Sequence, residues 1–236
     1  MKRITIAIDG FSAAGKSTLA RQLAQRLNYT YVDSGAMYRA VTLFALRHGL
    51  FGKRLDEAGL VASLGQIDLK CKKTASGREA IFLNGKDVTA EIRGVKVSTH
   101  VSEVAKIPEV RSHLIAVQQA MGQAKAVVMD GRDIGTVVFP DAELKLFVTA
   151  SPEIRARRRR DELVAKGQQV TLAQVLGDLK KRDEMDTTRV HGPLVKAADA
   201  IEIDNSHLSQ AAQLQKAMRL AVYKMRYQRG KSKNKS

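Results

Sequence analysis

Gly10-Phe11-Ser12-Ala13-Ala14-Gly15-Lys16-Ser17-Thr18 has the spacing G-x-x-x-x-G-K-[ST], which is suited to holding a chain of phosphates. Glycines at both ends let the backbone curl until successive amides point inward at phosphate oxygens. The start of a following helix adds partial positive charge. In this arrangement Lys16 reaches the terminal phosphates, and the Ser17 hydroxyl takes one position on a Mg²⁺ that otherwise keeps waters and phosphate oxygens. A second charged string is Asp130-Gly131-Arg132-Asp133-Ile134-Gly135-Thr136. Its first carboxylate, Asp130, is placed to act on the same ion through water.

Arginines narrow the reaction. A phosphate loop alone does not say whether the phosphoryl group goes to water, to a protein or to a small molecule. An acceptor that is itself a phosphate approaches as an anion and demands cations on its own side. Arg39, Arg132 and Arg189 lie at predicted element ends and supply that set. Guanidinium suits the task because it grips phosphate oxygens in pairs. No general base is then needed, whereas a sugar hydroxyl would call for an Asp beside the attacking oxygen. A guanine-reading N-K-x-D string does not occur, and Asp56-Glu57-Ala58-Gly59 has D-x-x-G spacing but follows no predicted strand. Both points argue against a GTP-driven switch.

The elements that must position these residues can be read from periodicity. Ile4 to Asp9 is a short apolar run suited to a strand buried on both faces, and Leu19, Leu23 and Leu27 recur at helical spacing behind the loop. Further strands are predicted at Tyr29–Val32, Ala126–Met129, Leu144–Val148 and Ala200–Asp204. Helices are predicted after Asp33-Ser34, from Pro108, from Ser151-Pro152-Glu153 and from the Thr171/Gln174 capping box, with a closing helix striped by Leu214, Met218, Val222 and Met225. Between Gln66 and Ile92 the period shortens to two, with turns at Ser76-Gly77 and Asn84-Gly85, so a small antiparallel hairpin interrupts the parallel fold. Arg155, Arg157, Arg158, Arg159 and Arg160 open a helix that leads through Lys166-Gly167-Gln168-Gln169 to the next. Helix, loop and helix rich in cations describe a lid over a triphosphate. The expected fold is α/β, a five-stranded parallel sheet flanked by helices in the P-loop NTPase manner, with a hairpin insert and a helical lid.

The totals are compatible with this. A chain of 236 residues buries a full core without staples. The single Cys71 rules out an internal disulfide, which fits a reducing compartment. Met1-Lys2-Arg3 leads straight into the first strand, leaving no room for a signal peptide, and no apolar run spans a bilayer, so the cytoplasm is the expected location. A net charge of +16 calls for polyanionic partners, and lysines and arginines crowd the stretch from Lys224 to Lys235.

Gly10 to Thr18, Asp33-Ser34-Gly35-Ala36-Met37-Tyr38-Arg39, Asp130 to Ala142 and Arg182 to Arg189 together resemble the bacterial cytidylate kinase family over almost the whole chain. The resemblance implies transfer of the ATP γ-phosphate to CMP or dCMP, with Mg²⁺ accompanying ATP. By matching position it implies that Ser34, Ser102, Arg111 and Asp133 contact cytosine. Arg39, Arg132 and Arg189 would hold the CMP phosphate, and Arg182 and Asp186 the pentose. Gly10 to Thr18, with Arg158 and Arg159, would bind ATP. Lys16, Arg132 and Arg189 would stabilise the transition state, and Ser17 and Asp130 would hold the metal. The implied organisation is one kinase domain over 1–224, with a CMP-binding insert at about 65–103 and a lid at about 155–172; the family pattern does not account for 225–236, whose composition reads as a basic, disordered tail. Partners would be ATP and CMP or dCMP, acting on a monomer with no membrane and no assigned nucleic acid. A kinase that prefers UMP or accepts nucleoside monophosphates broadly is the alternative. A basic nucleic-acid-binding protein with a vestigial loop is the rival from another class.

Overall fold

The computed structural model describes residues 1–74, 79–165 and 167–227. The expected turn at Ser76-Gly77, Lys166 and the tail beyond Tyr227 fall outside them. The chain forms two compact units, one of Met1–Tyr31 with Met121–Ser236 and one of Val32–Ala120.

In chain order the elements are β1 (Thr5–Gly10), α1 (Lys16–Leu27), β2 (Thr30–Asp33), α2 (Ser34–Arg47), α3 (Glu57–Ala62), β3 (Leu69–Lys73), β4 (Glu79–Leu83) and β5 (Lys86–Asp87). They continue with α4 (Val95–Val104), α5 (Pro108–Gly122), β6 (Val127–Gly131), β7 (Leu144–Thr149), α6 (Pro152–Ala165), α7 (Leu172–Thr188), β8 (Ile201–Asp204) and α8 (Gln210–Tyr227).

The first unit is built on a five-stranded parallel sheet of order β2-β6-β1-β7-β8. All six residues of β1 are buried, because the strand lies between β6 and β7 and is covered on both faces. Ile6 is opposite Val128 on one side and Leu144 on the other. Leu19 and Leu23 of α1 and Ala217 and Ala221 of α8 close over Ile4, Ile6, Ile8, Val148 and Ile203. Chain order reverses across β1, since β6 and β7 flank it, and in such sheets the crevice beyond the strand ends is where ligands lie.

In the second unit α2 packs against α4 and β4. Asp33 caps α2 by accepting from the amide of Ala36. β3, β4 and β5 form a three-stranded antiparallel sheet. It has one strand more than the expected hairpin, because Asn84-Gly85, both at positive φ, turn β4 into the short β5.

Two helices were not foreseen. The D-x-x-G string at Asp56 is the cap of α3, with Asp56 accepting from the amide of Gly59. α4 carries no side-chain cap and is rich in β-branched Val95, Val97, Thr99 and Val101, so neither boundary nor propensity announces it. The closing helix is also turned from its expected stripe: Gln213, Ala217 and Ala221 are its buried residues, and Leu214, Met218 and Met225 flank them. Small residues take the line of closest approach, and the larger ones reach round from its sides.

Candidate active site

β1 runs straight into the phosphate loop. Gly10 has φ +143, and a Cβ there would lie 2.0 Å from the Val148 carbonyl oxygen, so only glycine lets the chain leave the sheet at this point. Gly15, at φ +95, is the residue before α1, and a Cβ there would lie 2.5 Å from Asn205 Nδ2. Ala13 sits at φ +58 without being a glycine, a strained position of the kind found where a loop is held for function.

Partners outside the loop hold that shape. Asn205, at the end of β8, donates from Nδ2 to the Ala14 carbonyl at 2.8 Å. Arg155 is buried, donates to the carbonyls of Ala150 and Ser12, pairs with Asp183 at 2.7 Å and lies over the Phe11 ring. This first member of the arginine run therefore braces the loop from behind. Ala13 packs against the helical hairpin of α6 and α7, whose own core is Ala156, Val175 and Leu179.

Within the loop Lys16 is buried and donates to the Phe11 carbonyl at 2.8 Å. Burial is the main force pushing its ammonium down to about 7, and the neighbouring positive charge of Arg132 adds to it against Asp130. Thr18 is exposed. Ser17 donates from Oγ to Asp130 Oδ2 at 2.8 Å, and the Tyr31 hydroxyl donates to Oδ1 of the same carboxylate at 2.8 Å. Strand-end carboxylate and loop hydroxyl thus meet. Two hard oxygen donors suit Mg²⁺, which is commonly held by few protein ligands.

Asp9, which the sequence reading passed over, holds the backbone that directly follows Asp133. Its Oδ1 accepts from the Ile134 amide at 2.8 Å and its Oδ2 from the Gly135 amide at 2.7 Å. Burial outweighs both bonds and raises its carboxyl to about 6. A charged residue ending an otherwise apolar buried strand was the available signal.

Arg132 and Arg189 are brought to one carboxylate. Arg132 Nε donates to Asp186 Oδ2 at 2.6 Å, Arg182 Nε stands 4.0 Å from the same oxygen, and Arg189 Nη1 stands 3.7 Å from Asp186 Oδ1. Arg189 also donates from Nε to the Gly192 carbonyl at 2.6 Å, and its Nη2 lies 3.7 Å from Asp133 Oδ1. Burial alone would raise the Asp186 carboxyl, but Arg132, Arg182 and Arg189 together hold it below the usual carboxylate range. On α6 Arg158 donates to the Asn205 carbonyl at 2.7 Å and Arg159 pairs with Glu162.

Ser34, Arg39, Ser102 and Arg111 belong to the second unit. Ser34 is buried at the first turn of α2. Arg39 donates to Ser98 Oγ at 2.9 Å and to the Ile92 carbonyl. Ser102 lies on α4. Arg111, on α5, is buried, donates to the Ala105 carbonyl at 3.2 Å and lies 5.6 Å over the Tyr38 ring.

A parallel sheet that feeds its central strand into a glycine loop, with loop hydroxyl and strand-end carboxylate in contact, defines a phosphate-loop nucleotide-binding protein. A family model described as cytidylate kinase matches residues 6–222, and the chain belongs to that family. Among its relatives, a cytidylate kinase of Parabacteroides distasonis is 55% identical over 225 residues, 94% of this chain and 97% of that protein. Cytidylate kinases of Bacteroides fragilis and Flavobacterium johnsoniae are each 53% identical, over 90% and 93% of this chain and 94% and 96% of theirs.

Proposed function

We propose that this chain transfers the γ-phosphate of ATP to CMP or dCMP, giving ADP and the nucleoside diphosphate. Beside family membership, the observation that carries the reading is geometric: the loop hydroxyl of Ser17 donates to Asp130 at 2.8 Å, two residues before Arg132, whose charge helps push the Lys16 ammonium down. The donor-phosphate lysine and Arg132, one of the three arginines meant for an acceptor phosphate, therefore lie close enough to serve one transfer.

In this reading the loop amides and Lys16 bind the donor phosphates, with Arg158 and Arg159 reaching the triphosphate from the lid. Arg132 and Arg189, with Arg39 of the second unit, hold the CMP phosphate, whose attacking oxygen is already ionised. Lys16, Arg132 and Arg189 take up the charge that spreads over the transferring oxygens. Ser17 and Asp130 would hold Mg²⁺, which when bound neutralises charge on the phosphates. Arg182 and Asp186 bind the pentose, and Ser34, Ser102, Arg111 and Asp133 the base. Cytosine offers an amino donor where uracil offers a carbonyl acceptor. The Asp133 carboxylate accepts from the first and repels the second, which disfavours the UMP-preferring alternative. The insert at 65–103 would belong to the CMP side and the 155–172 segment to the lid. The protein would work as a cytoplasmic monomer; among the described residues no helix is long and apolar enough to cross a membrane.

An assay coupled to ADP release across CMP, dCMP, UMP and AMP tests this. CMP and dCMP should have the highest kcat/KM, and AMP as best acceptor would sink the base assignment. In Asp133→Ala the preference for CMP over UMP should fall by about 1–3 kcal/mol. An unchanged ratio would remove Asp133 from base recognition.

A further inference from the structure

Asp133 opens a single wide π-helical turn, Ile134–Val138, in which its carbonyl accepts from the amides of Val137 at 2.9 Å and Val138 at 3.2 Å. An aspartate just before a helical turn ordinarily spends its carboxylate on the first amides of that turn. Here the Asp133 side chain does not cap the turn. Asp9 takes the Ile134 and Gly135 amides from β1 instead, and the Asp133 carboxylate is turned to other partners, among them Arg189 at 3.7 Å. Lys145 completes the support. It pairs with Ala7 across β1 and β7, on the sheet face away from Leu144 and Leu146, which join the core with α1 and α8. The residue is only 8% exposed. A Cβ on Gly135 would lie 3.2 Å from Asp9 Oδ2, 3.2 Å from Lys145 Cδ and 3.4 Å from Lys145 Cγ. Gly135 is therefore sandwiched between a carboxylate and an alkyl chain, whose Nζ runs on to Asp199 Oδ1 at 2.8 Å.

We propose that Lys145 is a positioning residue for base recognition: its methylene stem is the wall against which Gly135 rests, and it thereby sets where Asp133, two residues earlier, presents its carboxylate. The proposal rests on Asp133 reading cytosine, as argued above. Single π-helical turns are rare and recur at functional sites, and this one is held from outside itself. Asp9 fixes the direction of two amides. Bonds to those amides leave another side of Gly135 to packing, and Lys145 fills it. Stem and ammonium have separable roles. A lysine lays its methylenes along an apolar surface while the charged head reaches outward. Its partner Asp199 has a side chain 64% exposed, and an ion pair at such a site adds little. The stem touches Gly135, so the stem and not the charge carries the positioning.

Steady-state kinetics with CMP and with UMP, read by ADP release, test this. Lys145→Ala removes the stem and should lower the CMP:UMP ratio of kcat/KM by on the order of tenfold, with KM for ATP within about twofold of wild type. Lys145→Met keeps an unbranched stem without the ammonium, and Asp199→Asn keeps the stem without the ion pair; both should hold the wild-type ratio. A residue needed only for stability would lower the thermal midpoint in Lys145→Ala and leave the ratio unchanged, which overturns the proposal. So does loss of the ratio in the Met and Asn variants as complete as in Ala. Gly135→Ala reaches the same contact from the other side and should lower the ratio by itself, so it decides the matter where Lys145→Ala does not fold. Combined with Lys145→Ala, its methyl enters the vacated space and the ratio should rise above that of Lys145→Ala; a ratio at or below that level tells against the proposal. Asp133→Ala separates this from the base assignment. A ratio unchanged in Asp133→Ala removes the base assignment and the proposal with it, whereas a ratio that falls there but not in Lys145→Ala removes the proposal alone.

Discussion

At the phosphate loop, polar side chains are tied one by one to backbone atoms: Asp9 to the amides of Ile134 and Gly135, Asn205 to the Ala14 carbonyl, Arg155 to the carbonyls of Ser12 and Ala150. Around Asp186, three guanidinium groups share a single carboxylate at 2.6, 4.0 and 3.7 Å. The first region fixes a shape, since bonds to backbone carbonyls and amides specify where the chain runs. The second gathers charge with looser geometry: Arg132 is hydrogen-bonded to Asp186 and Arg189 to the Gly192 carbonyl, but the remaining ion pairs at 3.7–4.0 Å retain attraction without the alignment a hydrogen bond demands. This division suits the roles proposed above, a donor site whose amide cradle must be formed in advance and an acceptor site whose cations must follow an anion that changes charge and position during transfer.

The strongest challenge to this contrast is Lys16→Met. Its ammonium is buried and lowered to about 7 chiefly by burial, so removing it relieves an electrostatic cost of folding while deleting a charge aimed at the phosphates. We expect kcat to fall by a factor on the order of 10²–10³, with a thermal midpoint equal to or above that of the wild type. A midpoint several degrees lower would mean that Lys16 supports the loop, and the contrast between shape-fixing and charge-supplying groups would not extend to it.

The next challenge uses pH. The folded protein holds the Asp9 proton up to about 6, whereas the ordinary carboxyl value is 3.8. A folded pKa raised in this way gives stability that is complete below 3.8 and lost as pH rises through about 6, by about 3 kcal/mol from this group. Asp186, held low, has the opposite sign: its share is present at neutral pH and lost on acidification. Asp9→Asn puts an amide donor against a backbone amide, so the variant is destabilised throughout. Its deficit relative to wild type should shrink by up to about 3 kcal/mol between about pH 4 and about pH 7 in denaturant titrations. A deficit constant over that range would show that Asp9 is ionised throughout and that its two backbone bonds outweigh burial.

Legibility in the sequence followed the same division. The loop, the strand that feeds it and the capping box could be read because glycine spacing, alternating isoleucines and the Thr171/Gln174 pair are local signals with local causes. The arginines were legible as cations, but not their common counterion, since Arg132 and Asp186 meet across a sequence separation of 54. Arg155 read as one more cation of the lid run, yet it is buried against Phe11 and Asp183, because neighbours in a helix face different directions and only the packed fold decides which one enters the core. Asn205 had no signal. An asparagine after a strand reads as an ordinary turn, and its partner Ala14 is 191 residues away.

The finest division of roles falls on Asn205. Its side chain satisfies the Ala14 carbonyl and fills the space beside Gly15, while its backbone carbonyl accepts from Arg158. Asn205→Ala removes the first two and keeps the third, so the loop loses its brace while the Arg158 anchor persists. Leaving a buried carbonyl unpaired should cost about 1–3 kcal/mol of stability. KM for ATP should rise by a factor of about 3–10 if about 1 kcal/mol of that cost falls on the loop, and KM for CMP should stay within about twofold, since the Asp186 cluster is not touched. Steady-state kinetics with each nucleotide varied in turn measure both. A rise confined to CMP would reverse the assignment: the loop would then tolerate loss of its brace, and the arginine cluster would be the region whose shape is fixed from outside.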